Sequence, residues 1–206
     1  MNDGRIKYLP PAEITRERYE KLKRLFVDIG FGNYPVVDNG NKKFEEDEIY
    51  LGLDLDPEKI DKFSAKYKNS PNIQFKKVGG NKDNFHLPLL DGSADEVHIA
   101  NVFGIPRAID SHNLQLLLEE SIRILREGGT LSVLETLTPN YSKDTFERLL
   151  RTYPLLKIIL SISPHSPEWQ EEIVKYDNSK EHWNPSIASN RNYYLIKAEK
   201  LLSFVQ

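Results

Sequence analysis

The sequence predicts an α/β fold: one doubly wound, mostly parallel sheet of seven strands with helices on both faces. Three observations predict it. Short apolar runs rich in β-branched and aromatic residues alternate with helix-spaced segments along the chain, and such alternation implies a parallel sheet covered on both sides. The first apolar run stops at a pair of glycines, where an open α/β sheet would turn and bind a ligand. The second run is followed by Asp56-Pro57, an N-cap with proline at the first helical position.

Taken in order, Pro11–Arg24 carries helical spacing through Ile14, Tyr19 and Leu22. Leu25–Ile29 has the length and composition of a buried parallel strand. Glu48–Asp54 is the second strand, and the helix opened by Asp56-Pro57 turns Ile60, Phe63 and Tyr67 inward. Ile73–Val78 and Glu96–Val102 are strands three and four. Leu114, Leu117, Leu118, Ile122 and Leu125 form one apolar stripe, the clearest helix in the chain. Gly128-Gly129 is expected to end it. Thr130–Glu135 is strand five, Thr145–Tyr153 a helix stopped by Pro154, and Leu155–Ile162 and Tyr193–Ala198 the last two strands. The polar stretch Tyr176–Asn192 is expected to be the least ordered.

Length and charge bound the function. A chain of 206 residues suits a single domain with a proper core. It contains no cysteine, which excludes disulfides, a thiolate nucleophile, Cys-ligated zinc and cysteine-held iron–sulfur clusters. The net charge of -3 argues against gripping nucleic acid by bulk charge. Residues 1–24 carry seven basic and four acidic side chains; a solvated helix face is the plain reading, and an anion- or RNA-facing patch is the other. The N-terminus is polar, and the longest apolar run, Leu155–Leu160, is far short of the ~20 residues a membrane helix needs. A cytoplasmic protein without a membrane partner is therefore expected.

The turn after strand one reads Val27-Asp28-Ile29-Gly30-Phe31-Gly32-Asn33-Tyr34-Pro35. A dinucleotide fingerprint wants a third glycine where Pro35 stands, and Asp28 would repel a pyrophosphate. An acid there suits a ligand with a positive group. A second acid, Asp54, closes strand two 24 residues after Gly30, where a carboxylate can accept two ribose hydroxyls.

These residues resemble the class I S-adenosylmethionine-dependent methyltransferases. Val27–Gly32 is similar to that family's cofactor-binding glycine motif and Leu53-Asp54-Leu55-Asp56-Pro57 to its ribose-holding acid motif. Asp83–Leu89 with Asp91–Val97 resembles the stretch before strand four, and Leu125–Leu131 the turn before strand five, with Glu127 in place of the usual proline. The match covers residues 24–136 and implies a last strand that runs antiparallel. It implies that the chain is an enzyme with S-adenosylmethionine as cofactor. It divides the single domain into an N-terminal helical segment (1–24), a cofactor-binding half (25–136) and an acceptor-side half (137–206).

Carried over residue by residue, the resemblance implies that Asp28, Gly30, Phe31 and Gly32 line the methionine end. Asp54 and Leu55 would hold the ribose side, Asp83 and Asn84 the adenine, and Ala100, Asn101 and Val102 would sit beside the sulfonium. Tyr34 departs from the small residue usual near that position. The helix after the glycine turn should be broken early by Asn39-Gly40-Asn41.

Methyl transfer needs two partners held close and in line, so no signature catalytic residue is expected. A general base matters only if the acceptor must lose a proton. His112 and Glu135 are the candidates. His98, inside strand four, reads as a structural histidine, and His86 as an edge or loop residue. His165, His182, Trp169 and Trp183 lie in or beside the insertion between the last two strands, whose aromatics could form a lid or pack on the sheet. No metal site is expected, since the histidines lack ligand spacing. Little chain remains to recognise an acceptor, which favours a small molecule. An RNA or protein acceptor, and a non-catalytic methyltransferase-like module, remain as alternatives.

Overall fold

Strand β1 (Arg24–Ile29) divides its side chains between two cores. Leu25, Val27 and Ile29 enter one apolar cluster and Phe26 the other, because successive residues of a strand point to opposite faces. The computed structural model describes residues 23–38, 43–78, 86–100, 102, 111–136, 142–173, 175–176 and 193–202, with backbone alone at 111–113. Of the helix expected over Pro11–Arg24, residues 11–22 lie outside them.

The other elements are β2 (Glu48–Asp54), α1 (Pro57–Lys66), β3 (Ile73–Lys77), β4 (Ala94–Ala100), α2 (Ser111–Ile124) and β5 (Leu125–Thr136). They are followed by α3 (Lys143–Arg151), β6 (Leu156–Ile162), α4 (Trp169–Ile173) and β7 (Tyr193–Lys200). The seven strands form one sheet in the order β3-β2-β1-β4-β5-β7-β6. Strands β1 to β5 pair in parallel, and β7 runs antiparallel to both β5 and β6. The predicted mixed sheet and its antiparallel last strand are thus present.

Helices α2 and α3 cover one face through Leu114, Leu117, Leu118, Phe146 and Leu150. The other face is aromatic. Phe63 from α1 packs there on Phe31 and Phe75, with ring centroids 5.6 and 5.5 Å away, and Trp169, Ile173 and Tyr176 close the same layer. Helix α1 begins as predicted, with the Asp56 side chain accepting from the Glu58 amide at 3.0 Å.

Several boundaries differ from expectation, each for a local reason. Arg24 belongs to β1 rather than to a helix: its guanidinium donates to Glu96 of β4 at 2.5 Å and lies 3.9 Å from Glu48 of β2. Strand β4 starts and ends two residues earlier than predicted, at Ala94 and Ala100. Helix α3 starts at Lys143, where Ser142 accepts from the Thr145 amide at 3.2 Å. Gly128-Gly129 does not cap α2. The helix ends at Ile124 and β5 starts at once. The glycines fall in a register shift, between the pairs Ala94↔Leu125 and Glu96↔Thr130. A side chain on Gly129 would meet Arg126 O at 2.9 Å and Asp95 O at 3.1 Å, so the crowded bulge requires glycine there.

Two sequence expectations for the insertion before β7 resolve differently. Trp169 is 1% exposed in the aromatic core, so it packs on the sheet and forms no lid; Trp183 and His182 lie outside the described residues. Tyr176, expected to start a poorly ordered stretch, is buried. It stacks on His98 with centroids 4.5 Å apart and meets the Ser132 hydroxyl at 3.0 Å. His98 is accordingly structural. Among the described residues, no helix is long and apolar enough to cross a membrane.

The buried phenols make one prediction. Burial, then the charge of Asp28, holds Tyr50 well above the ordinary phenol value of 10.0. Burial, then Glu96, does the same for Tyr176, and burial, then Glu135, for Tyr194. A raised phenol contributes stability that is fully present below the unfolded value and is lost as pH rises above it. In an ultraviolet titration of the folded protein, these three should stay un-ionised at about pH 11, together with Tyr67, which burial and its bond to Asp38 also raise, so at least four of ten tyrosines resist ionisation. They should ionise there once urea unfolds the chain.

Candidate cofactor site

The parallel register brings four strand ends level. Ile29 lies opposite Leu53 of β2 and Ile99 of β4, and Ala100 opposite Leu134 of β5. The next residues, Gly30, Asp54, Ala100 and Glu135, therefore meet at the carboxyl edge of the sheet. In open α/β folds that edge is where ligands bind.

Gly30 and Gly32 have φ of 73° and 54°, in the left-handed region that side chains disfavour. They serve different ends. A Cβ on Gly30 would lie 2.2 Å from Val102 Cγ2 and 3.2 Å from Ala100 O, so the space above Gly30 is already filled by the loop after β4. Among the described residues, a Cβ on Gly32 would meet only Gly30 O, at 3.8 Å. No other described residue crowds Gly32, so its backbone leaves room for a ligand to approach closely.

Asp54 ties the glycine turn to β2. Its Oδ2 accepts from Gly32 N and its Oδ1 from Asp56 N, both at 2.9 Å. Each carboxylate oxygen has a further lone pair, so this acid can hold the turn and still accept hydroxyls from a ligand. Leu55, 53% exposed, and Tyr34, 57% exposed, offer large apolar surface on the two turns that Asp54 joins.

Asp28 and Phe31 face inward. Asp28 is 1% exposed; its Oδ2 accepts from Val36 N at 2.9 Å and from the Tyr50 hydroxyl at 2.6 Å. It braces the turn from beneath. The expected helix after the turn is reduced to one 3-10 turn, Val36–Asp38. Phe31 is 3% exposed, with its ring 5.2 Å from that of Phe75. Only its backbone borders the open surface. Gly52, which sequence reasoning passed over, makes this possible: a Cβ there would lie 2.6 Å from the Phe75 ring and 3.1 Å from that of Phe31. A glycine inside an otherwise apolar strand was the available signal.

Glu135 is fully buried at the end of β5, and its Oε1 accepts from Val102 N at 2.5 Å. His112 lies on the first turn of α2, its side chain outside the described atoms. Asp83, Asn84 and Asn101 lie outside the described residues. His86 is on the surface with Nδ1 2.7 Å from Glu120 Oε2, and His165 is exposed. Among the described residues, no three His, Cys, Asp or Glu side chains cluster as a metal site would.

Comparison with known families adds the deciding observation. A family model described as "Methyltransferase domain" matches residues 27–133, from β1 through the middle of β5. The chain belongs to this methyltransferase family. Solved methyltransferases share its fold. The antibiotic-resistance methyltransferase Kmr aligns with a TM-score of 0.58 at 18% identity, over 91% of each chain. A SAM-dependent methyltransferase from Aquifex aeolicus aligns with a TM-score of 0.56 at 14% identity, over 98% of this chain and 94% of its own. The CurJ carbon methyltransferase gives a TM-score of 0.60 at 13% identity, over 94% of this chain and 50% of its own. No curated protein sequence gives a significant match. In this methyltransferase the matched segment contains the glycine turn, Asp54 and the strand ends that meet around them.

Proposed function

We propose that the protein is an S-adenosylmethionine-dependent methyltransferase acting on a small-molecule acceptor by direct in-line displacement. The junction of Gly32 with Asp54 carries this reading: an open, left-handed glycine whose amide is fixed on a carboxylate. When bound, the cofactor supplies a methyl carbon made electrophilic by a cationic sulfur. The residues fit it. Gly30 and Gly32 let the turn approach the methionine end, with Asp28 and the Phe31 ring holding that turn from inside. Asp54 accepts the ribose hydroxyls, and Leu55 gives the adenosine an apolar flank. The family resemblance assigns Asp83 and Asn84 to the adenine side and Asn101 to the neighbourhood of the reacting sulfur. His112 is the candidate base where an acceptor must lose a proton.

A small acceptor is favoured by how the acceptor-side half is used. Helix α4 and Tyr176 pack flat on the aromatic face through Trp169, Ile173 and the His98 stack. Among the described residues they add no arm beyond the sheet edge. A second reading, an RNA acceptor, is favoured by size-matched neighbours of the same fold. One is named a 30S ribosomal A1408 methyltransferase, with a TM-score of 0.53 over 90% of this chain and 91% of its own.

The test is methyl labelling. The protein is incubated with methyl-tritiated cofactor and cell extract separated into small-molecule, RNA and protein fractions. Label in the small-molecule fraction is the expected result. Label in the RNA fraction would overturn the acceptor class and leave the cofactor reading standing.

A further inference from the structure

We infer that Glu135 is a positioning residue that shapes the methionine end of the cleft by holding Val102 down on Gly30. The inference rests on the cofactor reading above. Three contacts run in series. Glu135 Oε1 accepts from Val102 N at 2.5 Å. The Val102 side chain occupies the place where a Cβ on Gly30 would stand, 2.2 Å from its Cγ2. Gly30 N donates to Leu53 O at 2.8 Å, which seats the turn on β2 beside Asp54. The end of β5 is thereby coupled to the glycine turn, two strands away in the sheet.

The placement suits support rather than proton transfer. Glu135 is 0% exposed, and a base that must meet an acceptor needs access to it. Tyr194 stands directly across from Glu135 in the β5–β7 register and is itself 0% exposed, with Phe146 packed on its ring. These two aromatics help keep Glu135 out of water. In that setting a hydrogen bond from an amide to a carboxylate is strong and directional. The expected role of Glu135 as a base gives way here to one exerted through Val102.

The experiment compares wild type with E135Q, E135A and V102A, using two readouts. One is hydrogen exchange at the Val102 amide, followed by NMR on the protein without cofactor. The other is the affinity for S-adenosylmethionine by calorimetry. A glutamine side chain keeps a carbonyl acceptor, so E135Q should retain most of the protection and bind within about threefold of wild type. E135A should lose the protection and bind at least about tenfold more weakly. V102A should keep the amide protected yet still weaken binding several-fold, because it removes only the wall. Should E135A fail to fold, V102A and E135Q carry the test. Unchanged affinity in V102A, or an E135Q variant as impaired as one lacking the side chain, would overturn the inference. Failure of wild type to bind the cofactor would overturn the cofactor reading instead, and Val102 exchange would still report whether the tether exists.

Discussion

Gly30→Ala should lower stability by about 2–4 kcal/mol and abolish cofactor binding. Two costs add. A residue with a Cβ loses about 1–2 kcal/mol at a left-handed φ such as the 73° of Gly30. The new methyl would also stand 2.2 Å from Val102 Cγ2 and 3.2 Å from Ala100 O. A flexible side chain could swing aside, but valine is short and its own amide is held by Glu135. The turn or Val102 must shift, and either movement disturbs the glycine turn on which the proposed cofactor site is built. Urea denaturation gives the first number and calorimetric titration the second. Gly32→Ala is the contrast. Among the described residues its Cβ meets only Gly30 O at 3.8 Å, so it should carry the backbone cost alone, about 1–2 kcal/mol, and intrude on the ligand rather than on the protein.

Asp54→Ala should weaken S-adenosylmethionine binding by at least about tenfold and cost about 1–3 kcal/mol of stability. The carboxylate bridges two turns through Gly32 N and Asp56 N. Alanine leaves both amides to find water and removes the acceptor assigned to the ribose hydroxyls. Asp54→Asn separates these roles. Its amide oxygen can replace one of the two backbone contacts, so stability should recover more than affinity does. Equal affinity in wild type and Asp54→Ala would remove Asp54 from the binding site.

Much of this site was legible because it is built from local chemistry. The glycines at 30 and 32 and the acid closing β2 are short-range signals, and parallel register alone brings their strand ends together. The strands themselves, though not all their ends, followed from apolar runs, and the Asp56 cap from its side chain and the following proline. What stayed hidden was tertiary. Gly128-Gly129 reads as a helix stop, yet Gly129 relieves crowding against Asp95, a residue that lies far earlier in the chain. Helix α4 has five residues, too few for a 3.6-residue period to register. The inward turn of Asp28 depends on Tyr50, which the chain brings beside it only when β2 pairs with β1. The task of Glu135 depends on Val102 in the same way. A lone acid at a strand end suggests solvent or a substrate, and only the fold supplies the amide that occupies it.

The most direct measurement is a calorimetric titration of the folded wild-type protein with S-adenosylmethionine. One site with roughly micromolar affinity is the predicted result. A folded protein that takes up no cofactor at about a millimolar would contradict the account.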